Sequence, residues 1–188
     1  MALGVGLFGF TEALRLYGPQ VLLGERGVIE LTQLGFLVAA LCQLGRSSSR
    51  QSLRAAVVPL MLLIGAVLVR ELDGALDLIV HGFWKYPAWA LALAALAFSA
   101  RNREAVVNSI DQMRQRRTVG LFVGAAFIVF IQSRILGRQV VWSGALGSGY
   151  LVVVPRLVEE LTELAGYGLL LVACLDVTTV LEQASSER

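Results

Sequence analysis

The chain has 188 residues, 56% of them hydrophobic and only 16% charged, with a mean hydropathy of +0.71 and a formal net charge of +2 at pH 7. Soluble domains carry about 25% charged residues, so this composition excludes an ordinary soluble globule and places the chain with helical membrane proteins. The charges nearly balance and no basic stripe is interleaved with aromatics, which excludes nucleic acid as a partner.

The first stretch, MALGVGLFGFTEALRLYG, lacks a basic leading region, and Glu12 and Arg15 interrupt its apolar part, so it does not read as a cleavable signal. Gly4, Gly6 and Gly9 match GxGxxG, but no strand precedes them and no βαβ unit follows. Small residues packing a helix on a neighbour account for them better. Residues 3–17 are expected to form a short helix lying at the membrane interface or against the bundle.

Beyond this the chain alternates apolar runs with polar linkers. In hydrocarbon every backbone polar group needs an internal partner, so the runs must be helices. Five spans are expected, near residues 28–44, 55–69, 76–100, 119–136 and 157–181, each near the roughly 20 residues a bilayer requires, though the second is short. Pro87 predicts a kink in the third. Segment 101–117 reads as an amphipathic surface helix with Val106, Val107, Ile110 and Met113 towards the membrane, or as a solvated basic loop. In 139–156, LVVVP reads either as a re-entrant piece over the site or as an early start of the last helix, with Pro155 in its first turns. Cys42 and Cys174 sit in apolar runs far from any CxxC spacing and read as small buried hydrophobes.

Arginine placement orients the bundle. Arg46, Arg50 and Arg54 fill one linker, and Arg101, Arg103, Arg114, Arg116 and Arg117 fill another on the same side, which is therefore cytoplasmic. The N-terminus is then outside and the C-terminus inside. The whole chain, 1–188, reads as a single all-α integral membrane domain: a bundle of five transmembrane helices plus a short N-terminal interfacial helix. Its compactness and arginine usage suit a bacterial inner membrane.

This topology brings distant carboxylates to one depth. Glu30 lies at the outer end of the first span, and Glu71, Asp73 and Asp77 lie at the outer hairpin. Glu159, Glu160 and Glu163 lie at the outer end of the fifth span. His81, the sole histidine, and Lys85, the sole lysine, follow Asp77 at four-residue intervals, so a helix would place them on one stripe. Glu30 and Gln33 share a face, as do Glu163 and Tyr167. Ionised groups facing lipid cost about 2.5–3.5 kcal/mol each at a helix centre, so these stripes should face one another.

Carboxylates with one imidazole suit a divalent metal ion, and Glu30, Asp77, His81, Glu160 and Glu163 are the expected ligands. Glu71, Tyr167, Arg70, Lys85, Arg134 and Arg138 form a second rank, as ion-pair partners or head-group contacts. The expected function is an outward-facing acidic site that binds a cation, a lipid or another small polar ligand. Metal-dependent hydrolysis in the membrane is its enzymatic form. Two other readings stay open: an ion-paired scaffold or subunit, with a homo-oligomer or a membrane protein as partner, and a small transporter or channel. No P-loop, HExxH or GxSxG is present, and the sole serine-hydrolase route would pair Ser143 or Ser148 with His81 and Asp77.

Overall fold

The computed structural model describes residues 27–48, 54–114 and 117–186. The short helix expected over 3–17 and its glycines lie outside them. Among the described residues every regular element is a helix.

Helix α1 (Val28–Ser48) opens with Glu30 in its first turn and closes with Arg46 near its last, both matched to the helix dipole. Helix α2 (Arg54–Glu71) runs back and stops before Leu72, and a single turn, α3 (Asp73–Leu76), follows it. Helix α4 (Lys85–Arg101) leads directly into α5 (Arg103–Arg114). Next come α6 (Thr118–Phe127), a π-turn (Ile128–Gln132) and α7 (Ser133–Leu136) in unbroken succession. A short α8 (Gln139–Leu146) and a 3₁₀ turn (Gly147–Gly149) precede α9 (Val153–Ser186). The 34 residues of α9 give about 51 Å at 1.5 Å per residue, longer than a bilayer core.

The expected helix over 76–100 is corrected at its start. Residues 77–84 form turns, and Gly82 adopts φ +79, a left-handed conformation that few other residues accept. The Asp77 carboxylate accepts the Gly82 N–H at 2.8 Å, which fixes the loop. Pro87 is the third residue of α4, where its missing N–H costs nothing, so it marks a helix start and not a kink. Pro155 holds the same place in α9, so the last helix begins early and α8 occupies the segment before it.

In the bundle, α9 packs on α1 and α6, α1 also packs on α2, and α2 packs on α4. The core collects one face from each: Leu37 and Leu44 of α1, Val57 and Ile64 of α2, Val129 of the π-turn, and Tyr167, Cys174 and Val177 of α9. Cys174 is buried as expected, whereas Cys42 is exposed, and both are free thiols. Beside the π-turn, Gly166 lets α9 approach closely: a Cβ there would fall against Val129 Cγ2 and 3.1 Å from Ile128 Cγ2. Met113 and Ser109 of α5 turn inward, while Val107 and Ile110 stay exposed. At this end the Asp176 carboxylate accepts from the Thr118 hydroxyl and from Arg117 Nε at 3.4 Å, tying α9 to the start of α6.

Among the described residues two helical stretches are long and apolar enough to cross a membrane, Val28–Arg46 and Thr118–Leu136.

Candidate functional site

At the end of the bundle opposite Asp176, the start of α1, the end of α2, the α3 turn, the end of α7 and the start of α9 enclose an open cavity of about 1280 Å³. Among the described residues seven carboxylates line it, Glu30, Glu71, Asp73, Asp77, Glu159, Glu160 and Glu163, with three cations, Arg70, Arg134 and Arg156. Four of the five expected ligands, Glu30, Asp77, Glu160 and Glu163, therefore share one cavity.

Glu163 is its innermost carboxylate, with its side chain only 5% exposed. Its Oε1 accepts from Arg70 Nη2 at 3.2 Å, from Arg134 Nη2, and from the Ser133 hydroxyl at 3.4 Å. Arg134 also donates through Nη1 to Glu159. One carboxylate thus joins α2, α7 and α9 through charge-assisted bonds, the stronger kind of hydrogen bond. A buried charge requires such partners, because an uncompensated carboxylate out of water is costly.

Behind Arg70 lies Tyr167, 1% exposed, whose hydroxyl donates to Glu71 Oε1 at 2.6 Å. Glu71 lies just past the apolar run of α2. On the other wall, Gln33 of α1 donates through Nε2 to the Glu160 carbonyl at 3.0 Å and to Glu160 Oε2 at 3.3 Å.

The histidine belongs elsewhere. His81 is 96% exposed and does not line the cavity; its Nδ1 lies 3.1 Å from Asp77 Oδ2. The expected stripe from Asp73 through Asp77 and His81 to Lys85 needs a continuous helix, and the turns over 77–84 break it. Lys85 lies outside the cavity with its ammonium 5.9 Å from the Trp84 ring centroid. Arg138 is exposed beside α8 and is not a lining residue. Among the described residues no three His, Cys, Asp or Glu side chains converge as a metal-holding group. Nor does a hydrogen bond join His81 to a serine among them: the Ser143 hydroxyl donates to the Val140 carbonyl at 3.3 Å.

Ser133 is the participant that reading the sequence missed. Its signal was slight, one hydroxyl in FIQSRILGR, and its role depends on the π-turn beneath it, because its single proton is shared between Glu163 and the nearer Val129 carbonyl at 2.5 Å. No family model, no curated protein and no solved structure matches this chain.

Proposed function

We propose that the chain is a multi-pass membrane protein whose outward-facing cavity binds a cation or a cationic polar ligand. The observation that carries this reading is the charge of the cavity wall, where among the described lining residues seven carboxylates face three arginines. Arg70 and Arg134 are already held by Glu163 and Glu159, so the excess carboxylate charge draws positive ligands.

Helices α1, α2, α4, α6 with α7, and α9 form the five spans. Only 28% of the Val28–Arg46 stretch and 17% of the Thr118–Leu136 stretch is buried, unlike the core helix of a soluble protein. Large apolar side chains point outward along each span, among them Val38, Leu63, Leu96, Phe127 and Val172. Such a surface suits lipid. At 18 and 17 residues, α2 and α4 span about 27 and 25 Å, slightly less than the hydrocarbon thickness, and exposed Tyr86 and Trp89 sit where an interfacial belt would anchor α4. Arg46, Arg54, Arg101, Arg103, Arg114 and Arg117 lie at the helix ends away from the cavity, which orients the cavity outward in a bacterial inner membrane.

Calorimetric titration of the detergent-purified chain with Mg²⁺, Ca²⁺ and alkylammonium ions, beside inorganic phosphate, tests the reading. Saturable binding of a cation that weakens in Glu160→Gln is expected, and binding of phosphate alone would overturn it. A second reading, an ion-paired scaffold, is favoured by the Arg70–Glu163–Arg134–Glu159 network. It prevails if nothing binds.

A further inference from the structure

Gln33 is 1% exposed and lines the cavity, and both of its Nε2 bonds go to acceptors on Glu160. Those two acceptors fix which end of the amide is nitrogen, since the reversed amide would set its oxygen against a carbonyl and a carboxylate. Its Oε1 is then a buried acceptor, and it has no hydrogen-bond partner among the described residues. Buried acceptors are ordinarily satisfied, and one left unmet on a residue that lines a cavity points to a donor that arrives with a ligand as the side chain adjusts.

The rest of the wall narrows the donor. The excess of carboxylates favours a positive charge. A bare divalent ion needs several converging oxygens and almost no volume, yet no three ligating side chains converge among the described residues and the cavity holds about 1280 Å³. A quaternary ammonium carries no N–H and is recognised by aromatic faces. No Phe, Tyr or Trp is among the described lining residues.

We propose that the cavity recognises a primary aliphatic ammonium group, with Gln33 Oε1 and the Glu160 carboxylate as its acceptors. This rests on the cation-site reading above and names its ligand class. An ammonium has three N–H donors and no acceptor, complementary to a carboxylate beside an unpartnered amide oxygen. The same group occurs on free diamines and on ethanolamine lipid head groups.

The test uses the full chain in detergent and in nanodiscs. 1,3-Diaminopropane and spermidine are titrated calorimetrically beside tetramethylammonium and Mg²⁺, on the wild type, Gln33→Met and Glu160→Gln. The amines are expected to bind, with affinity at least tenfold weaker in each variant and tetramethylammonium inert. Gln33→Met also loses both Nε2 bonds to Glu160 and should melt lower than the wild type without ligand, so each variant is judged by the amine-induced rise above its own ligand-free melting temperature. That readout separates ligand recognition from a structural role, and Glu160→Gln serves if Gln33→Met does not fold. In nanodiscs, ethanolamine lipids raising the melting temperature above choline lipids, with the rise lost in Gln33→Met, would assign the ammonium to lipid. Amine binding without that rise would assign it to a free amine. Tetramethylammonium or Mg²⁺ binding as tightly as the amines, with Gln33→Met unaffected, would overturn the ammonium assignment and leave the cation site standing. Binding of no cation would overturn both.

Discussion

Glu163 and Asp77 are carboxylates lining the same cavity, yet they are held in opposite ways. Glu163 is 5% exposed and is bound by groups 93 and 29 residues away in sequence, Arg70 and Arg134. Asp77 is 27% exposed and spends its oxygens on His81 and the Gly82 N–H, four and five residues on. A carboxylate on a long packed helix has no local donors, because that backbone is already bonded to itself, so it must recruit partners from other helices. A carboxylate at a broken helix end finds free backbone N–H groups and a neighbouring imidazole nearby, and it folds the loop around itself. The first arrangement ties the bundle together, whereas the second shapes only its rim.

The largest test of that difference is Glu163→Leu. Removing the shared acceptor leaves Arg70 and Arg134 facing one another, at a cost of about 3 kcal/mol. This is the low end for a broken buried pair, because the Arg134 side chain remains 45% exposed. Reversible unfolding in mixed micelles should show the loss, and a change under a third of that would put Glu163 in the same class as Asp77. Gly166→Ala comes next, since its methyl group would meet the stiff Val129 side chain where α9 crosses the π-turn. A cost of about 2 kcal/mol is expected by the same measurement, within the range for overpacking. Tyr167→Phe should cost about 1.5 kcal/mol through the lost bond to the buried Glu71 carboxylate, with little further loss when combined with Glu71→Leu. The smallest effect belongs to the rim. His81→Ala should leave both the unfolding midpoint and cation binding unchanged, and loss of binding would return the imidazole to the site.

Much of this pattern was legible in the residues. Glu30, Glu160 and Glu163 come together because apolar runs between arginine-rich linkers allow few topologies, and hairpin connectivity alone brings those helix ends to one level. Asp77 reaches the cavity for the same reason. What misled the reading at His81 and Lys85 was their four-residue spacing, which carries meaning only on an unbroken helix. Gly82 between them and Pro87 just beyond were both visible, but whether a glycine ends a helix depends on what its neighbours can bond to.

Composition and periodicity determined the helical class, the apolar outer surface and the polar end of the bundle, because each follows from local hydrophobicity and the demand that backbone groups be bonded within a segment. Which carboxylate is buried, which arginines it holds, and that Gln33 Oε1 meets no donor among the described residues were decided only by tertiary packing. Those outcomes depend on rotation and close approach of helices far apart in the chain, set at points such as Gly166 against the π-turn, and no local pattern encodes them.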